Sequence, residues 1–487
     1  MYSMTPLLHT LYPAQSLYRV AIVGAGPAGF YTAHHLLNRA NGRVLVDIFD
    51  RLPAPYGLSR YGVAPDHPEV KNCEEYMDNI MGNPAFPARF FGNVCVGQDV
   101  SLADLHRRYH AIVLAYGCTW SDNQLAIESA AHPAVIPARK LVNWYNGHPD
   151  SGTWQPPLAL VSDVTIVGNG NVAIDVARVL LADPVRHWRA TDIASHAMDA
   201  LHNSAVKRVN IVARRGVLES AFSNKEIREL LAVSRQSGVR FVPISDALLD
   251  PIRQREMSLP RIDKRKFAIL DKASAEPCDP AAEKELQLHF LVSPHKFVPD
   301  PHNPDLLDHM VLMENAHHED PLAKNVSVRP TGKMLVLKTQ MAVLSIGYRG
   351  SKLEGLDALG LSYDTARNCL ANRDGRLLTS SAHPDRRPCP GWYTAGWIRN
   401  GPRGVIAMTM MEAFDTAEKV FEDFSSGMCN RPSTDADITA VLPQKTVTWA
   451  GWQKIDRHER AAGEGAGKTR EKIETADEMV RVAHASP

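Results

Sequence analysis

Two stretches of this 487-residue chain read alike: "VAIVGAGPAGFYTAHHLL" (Val20–Leu37) and "TIVGNGNVAIDVARVLL" (Thr165–Leu181). Each is a β-type apolar run, then a glycine turn, then an apolar pattern of helical period, which predicts strand, turn and helix as one unit. The first turn carries Gly24, Gly26 and Gly29 in G-x-G-x-x-G spacing, and the second carries Gly168, Gly170 and Ala173, the G-x-G-x-x-A variant. In such turns the first glycine permits the tight bend and the second lets the backbone approach a pyrophosphate. The third small residue lets the helix close on the strand. The helix N-terminus adds free N–H groups and the positive end of its dipole.

The next strand after each unit ends in a charge, and the two charges are opposite. "RVLVDIFD" ends in Asp50, about twenty residues past the last glycine, where an acid binds ribose hydroxyls. "RVNIVARRG" ends in Arg214 and Arg215. A carboxylate there would repel a 2′-phosphate, whereas two guanidiniums grip it; an arginine pair is also what a solvated turn carries. The acid-terminated unit suits an unphosphorylated ribose, as in FAD or NAD, and the arginine-terminated unit suits NADP. A chain holding FAD and NADP together is built for hydride transfer between them.

The length exceeds what one core usually supports, and alternating strand and helix patterns imply an α/β fold with parallel sheets. "MAVLSIGY" (Met341–Tyr348) echoes "AIVLAYG" (Ala111–Gly117), residues 300–320 read as loops or an exposed hairpin, and residues 391–414 read as strand, glycine loop and helix. Past Cys429 the chain is polar, and "EGAGKTREKIETADEM" reads as a solvated loop and helix. Its "GAGKT" is not a phosphate loop: the position that needs glycine is Ala462, and no strand precedes it. Lys+Arg and Asp+Glu both number 54, so no global charge points to nucleic acid. No apolar run approaches the eighteen or so residues of a membrane span, so the expectation is a soluble protein, not an integral membrane protein, although peripheral membrane association stays open. The seven cysteines include no C-x-x-C pair, which argues against zinc, iron–sulfur ligation and a redox-active disulfide. The histidines show no metal-site spacing, so no metal is expected. Residues 1–19, with no acid and one arginine, are compatible with a transit segment and equally with a plain tail.

Beyond the turns, the chain resembles the adrenodoxin reductase family of ferredoxin–NADP reductases, found in mitochondria and some bacteria. The resemblance rests on "GAGPAGFYTAHHLL", "GLSRYGVAPDHPEVKN" (Gly57–Asn72), "GNGNVAIDVARVLL" and "ARRGVLESAFSNKEIREL" (Ala213–Leu230), and continues through "SIGY", "AGWIRNGPRGVIA" (Ala395–Ala407) and "GEGAGKTREKI" (Gly463–Ile473). It implies two Rossmann-like domains, the NADP domain (118–344) inserted into an FAD domain made of 20–117 and 345–487. It also implies a hydride passed from NADPH to FAD, then single electrons given to a small acidic iron–sulfur ferredoxin of the adrenodoxin kind. By motif match, Ala28, Asp50, Leu58, Val94 and Trp397 would contact FAD, with Gly404, Val405 and Ile406 over its ring system. Gly170, Asn171, Val172, Ala173, Arg214, Arg215 and Glu226 would hold NADP, and His67 and Glu229 would be polar residues at the redox centre. The implied location is the mitochondrial matrix in a eukaryote, or the cytoplasm in a bacterium.

Four residues depart from the family pattern: Asp50 for the usual Glu, Ser59 for Val, Asn400 for a basic residue and Arg403 for Thr. Each sharp reading has a plain rival. Trp397 can be a core aromatic, His67 a satisfied loop histidine and Glu229 a solvated helix residue. Lys225 and Arg228, extended by Arg399 and Arg403, are the candidate docking cations for an acidic ferredoxin. Two other functions compete: an NADPH-dependent flavin monooxygenase or oxidase, and a non-catalytic NADPH-sensing scaffold.

Overall fold

The computed structural model describes residues 17–118, 121–277, 279–318, 320, 322, 326–380, 386–402, 404 and 406–486. Strand Tyr18–Val23 pairs in parallel with Val44–Phe49 on one side and Ala111–Leu114 on the other. Their Val, Ile and Leu side chains are buried, apart from the half-buried Leu45, as befits strands with helices on both faces. Among the described residues this first sheet runs Asn372–Arg373, Arg376–Leu378, Pro388–Thr394, Ala111–Leu114, Tyr18–Val23, Val44–Phe49, Ala88–Gly92, Val447–Thr448. It therefore draws strands from both ends of the chain. The sheet begins at Tyr18, two residues inside the stretch read from sequence as a tail, and residues 1–16 of that tail lie outside the described residues.

The second sheet is all parallel: Val135–Pro137, Met341–Leu344, Asp163–Val167, Arg208–Val212, Lys284–His289, Val239–Phe241. The echo between "MAVLSIGY" and "AIVLAYG" has a structural counterpart: Met341–Leu344 flanks Asp163–Val167 as Ala111–Leu114 flanks Tyr18–Val23. Helix Pro27–Ala40 follows the first turn and helix Asn171–Leu181 the second.

Between Lys284–His289 and Met341–Leu344 the chain makes a three-stranded antiparallel sheet of Val292–Pro299, Leu307–His317 and Val328–Lys338. Its middle strand corrects the expectation of loops or a hairpin for 300–320. That stretch hid its strand because the buried residues Leu307, Met310, Leu312 and Asn315 are spaced three, two and three apart. Register shifts near Pro299 and between Met313 and Asn315 break the two-residue period on which a strand is recognised.

The C-terminal segment is a second correction. Helix Trp449–Ala466 ends at Gly467 in the left-handed region, so "GAGKT" is a helix stop. The segment after it is only partly solvated: Thr469, Thr475 and Asp477 are exposed, while Lys472 and Ile473 are buried. Glu459 is fully buried and takes Arg60 Nη2 on both oxygens at 2.6 and 2.7 Å, together with Arg470 at 2.9 Å. Lys472 is buried beside Asp192 at 2.9 Å, and Lys71 reaches the same carboxylate at 2.6 Å. Burial pushes the Lys472 ammonium down to about 7. Burial alone would raise Asp192, but the two ammoniums hold it far below the usual carboxylate range. The "PEVKN" loop and the "GKTREKI" tail thus meet on one acid of the segment between the second turn's helix and its next strand. A polar sequence is a solvated one only when its charges lack partners.

Candidate cofactor sites and a buried charged cluster

The first turn is built by close contact. Gly24 has φ +112°, and a Cβ there would lie 2.5 Å from the Ala115 carbonyl oxygen; a Cβ on Gly29 would lie 1.8 Å from the Gly24 carbonyl oxygen. At Gly26 nothing comes nearer than 3.8 Å to that position, which leaves open the approach to the N-terminus of the following helix. Asp50 faces this turn: its carboxylate accepts the Ala25 N–H at 2.8 Å and the Leu52 N–H at 2.9 Å. Burial raises its pKa against those hydrogen bonds.

Gly24, Gly26, Ala28, Asp50, Leu58, Val94, Trp397 and Ile406 all line one cleft. Gly29 lies beneath it against the strand, and Ser59, buried, bonds back to the Tyr56 carbonyl at 2.9 Å. Trp397 stacks on Tyr348 with ring centres 5.7 Å apart. Gly404 has φ +86° on the loop before helix Ile406–Ser426, while Val405 and Arg403 lie outside the described residues. An open helix N-terminus for a pyrophosphate, an acid at the strand end and an aromatic wall fit a flavin dinucleotide.

The second turn repeats the geometry. Gly168 has φ +110°, with the Ser345 carbonyl oxygen 2.2 Å from where its Cβ would stand, and Gly170 has nothing within 4 Å. Asn171, Val172 and Ala173 open the helix, and the Asn171 side chain accepts the Ser223 N–H at 2.8 Å. Arg214 is exposed and Arg215 half-buried, and among the described residues neither forms an ion pair. Both line a shallow pocket with Ser293, Asn315 and Ser327. Two unpaired guanidiniums beside an open helix N-terminus fit a dinucleotide carrying an extra phosphate.

Glu226 joins His67 and Glu229 in a cluster around Arg178, on the helix of the second turn unit. This guanidinium is fully buried and lies 3.4 Å from Glu226, 3.0 Å from Asp175, 2.9 Å from Asp66 and 3.0 Å from His67 Nε2. His67 is buried, and its Nε2 also lies 3.0 Å from Glu229. Asp66 accepts from His187 at 2.9 Å as well. Burial, and then the neighbouring Glu226 and Asp66, outweigh Arg178 and push Asp175 up to about 8. His67, Glu226 and Glu229 have metal-type donor atoms within 4.8 Å of one another, but Arg178 already supplies the positive charge at that point.

The first half of the chain, residues 18–247, matches the family described as pyridine nucleotide-disulphide oxidoreductase. Over 473 residues the chain is 39% identical to NADPH:adrenodoxin oxidoreductase, mitochondrial, of Drosophila melanogaster, covering 96% of this chain and 93% of that protein. The human protein of the same name is 36% identical over 484 residues, with 95% and 91% covered. Among solved structures, Mycobacterium tuberculosis FprA in complex with NADPH superposes with a TM-score of 0.85 at 34% identity, covering 96% of this chain and all of that one.

The chain belongs to the NADPH:adrenodoxin oxidoreductase family. It is an oxidoreductase of the FAD- and NADP-using kind. The first cleft also holds residues that no motif signalled: Arg139, Asn143 and His148 enter it from, and just beyond, helix Ala138–Tyr145, and only tertiary folding brings them there. Asp175 and Arg178 did leave a trace in the sequence, as two charges three residues apart inside an otherwise apolar helix. Among the described residues no helix is long and apolar enough to cross a membrane. Lys225 is held by Glu69 at 2.6 Å, and Arg399 turns inward to the Glu412 carbonyl at 3.0 Å and Thr416 at 2.9 Å. Arg228 alone of the described candidates is exposed without an ion pair.

Proposed function

We propose that this protein takes a hydride from NADPH at the second turn unit and delivers single electrons from the first to a small, acidic iron–sulfur protein of the adrenodoxin type. The observation that carries this reading is the pairing of two like turn units, one ending in Asp50 and one in Arg214 and Arg215. Bound FAD supplies the conversion from two-electron to one-electron chemistry. The protein's own groups bind and orient. Asp50 and the Gly26 helix terminus hold the flavin's adenosine and pyrophosphate. Trp397, with Gly404, Val405 and Ile406, shields the ring system from water. The two arginines grip the 2′-phosphate, and Gly170, Asn171, Val172 and Ala173 take the pyrophosphate. His67, whose Nε2 lies 3.0 Å from both Glu229 and Arg178 Nη2, is the polar loop residue of the charged cluster. Positioning of this kind carries most of the chemistry in cofactor enzymes.

The domain assignment that goes with this reading puts FAD on 20–117 and 345–487 and NADP on 118–344, as the strand membership of the two sheets supports. The names of the relatives support a mitochondrial location; the matrix in a eukaryote, or the cytoplasm in a bacterium, is the finer location proposed with it. The test is anaerobic reconstitution: purified yellow protein, NADPH, a [2Fe–2S] ferredoxin and cytochrome c. Flavin bleaching by NADPH and ferredoxin-dependent cytochrome reduction are expected, the latter falling as salt screens the docking charges within about 8 Å. Oxygen incorporation into an organic substrate would favour the monooxygenase instead, and a flavin that NADPH does not bleach would favour the scaffold.

A further inference from the structure

If Arg214 and Arg215 grip the 2′-phosphate, the reading on which this rests, the antiparallel sheet beside them has a task. Asn315, on its middle strand, is buried and sits at the register shift after Met313; such bulges re-aim a side chain. The Asn315 Nδ2 lies 3.1 Å from the Arg214 carbonyl oxygen and 2.8 Å from Ser293 Oγ. A carbonyl oxygen only accepts, so nitrogen and not Oδ1 must face Arg214. The second amide hydrogen then goes to Ser293 Oγ, filling one lone pair and leaving the hydroxyl hydrogen for another acceptor. Ser293 lines the same pocket as the two arginines.

A second tether runs through Leu291. Its N–H donates to the Arg215 carbonyl at 3.1 Å, and its own carbonyl accepts the Asn315 N–H at 2.7 Å. Leu291 has φ +56°, a left-handed conformation that leucine rarely adopts, and strain of this kind collects at functional sites. We propose that Asn315 is a positioning residue for 2′-phosphate recognition and that Ser293 is a third donor to that phosphate.

The test is calorimetric titration of the FAD-loaded protein with 2′,5′-ADP and with 5′-AMP, two probes that differ only in the 2′-phosphate. Ser293→Ala should weaken 2′,5′-ADP about tenfold, the size of one charge-assisted hydrogen bond, and leave 5′-AMP unchanged. Asn315→Leu should cost 2′,5′-ADP at least as much, because it releases both Arg214 and Ser293. Asn315→Asp, of the same shape but unable to donate, should behave like the leucine variant. If Ser293→Ala and Asn315→Leu leave the ratio of the two affinities unchanged while Arg214→Ala with Arg215→Ala collapses it, the proposal falls and the arginine reading stands. If the arginine variant also leaves the ratio unchanged, both fall. Equal weakening of both probes by Asn315→Leu, with Ser293→Ala silent, would make Asn315 a support of the fold only and overturn the proposal.

Discussion

The two turn units can be laid over each other residue by residue, and the places where they differ carry the function. Gly24 donates to the Phe49 carbonyl at 2.7 Å and Gly168 to the Val212 carbonyl at 2.9 Å; Ala115 donates to Val23 and Ser345 to Val167, both at 2.8 Å. Gly26 and Gly170 cap their helices with φ −81° and −85°. Even the left-handed residue after the third strand recurs, Asn93 at φ +58° in one unit and Leu291 at +56° in the other. On this shared backbone Gly29 corresponds to Ala173, Tyr31 to Asp175 and Asp50 to Ala213, so Arg214 begins one residue past the position of the acid. The second unit vacates the acid's place with a small residue and puts its cations farther out. One backbone thus makes a pyrophosphate seat twice, and a few side chains around it choose the nucleotide.

The largest effect is expected at the third small residue, where the two units differ by one methyl group. Gly29→Ala would put a Cβ 1.8 Å from a backbone oxygen, so the variant should be recovered without flavin or not at all. The mirror change Ala173→Gly should cost only about 1 kcal/mol of helix stability. Flavin absorbance per protein and thermal melting read both. A yellow, stable Gly29→Ala protein would mean that the helices sit at the same depth in the two units.

Next in size is the strand end. Arg214→Ala with Arg215→Ala should lower the NADPH-over-NADH preference by a factor on the order of one hundred or more, since each charge-assisted contact is worth about 1.5–3 kcal/mol. Its NADH kinetics should barely move. Equal weakening of both nucleotides would make the arginines structural. Asp50→Asn is the partner change and a smaller one. An amide can accept from only one of Ala25 and Leu52, so the other N–H meets an NH₂ group, and FAD should bind roughly ten to a hundred times more weakly, as measured by flavin fluorescence on dilution.

The smallest effect is a pH slope at the Tyr31–Asp175 pair. Burial puts the folded pKa of Asp175 at about 8, above its unfolded value, so the folded state holds the extra proton. Stability from this group is then full below the unfolded pKa, about 3.9, and is lost as pH rises through about 8. Asp175→Asn should therefore gain on the wild type as pH climbs from about 4 to 8 in urea titrations. A constant difference across that range would show that Asp175 is ionised in the folded protein and that Arg178 alone settles the cluster.

The two turns, the sign of each strand end and the parallel core of both sheets were legible in the sequence, whereas the antiparallel edges of the first sheet, Asn372–Arg373, Arg376–Leu378 and Val447–Thr448, were not. They rest on local chemistry: a glycine where backbone crowds backbone, a β-branched run buried on both faces, a charge set at the mouth of a helix. The rest was settled only on folding. The strand Leu307–His317 was not readable because bulges erase its period, and Lys472 and Glu459 of the polar tail went inside because they found partners far away in the chain. Glu226 joined a cluster assembled from four separate segments, and Lys225 and Arg399 proved to be engaged by neighbours. In each case a charged or polar side chain is free or paired, exposed or buried, according to groups that stand next to it only after folding, and that is information no local spacing holds.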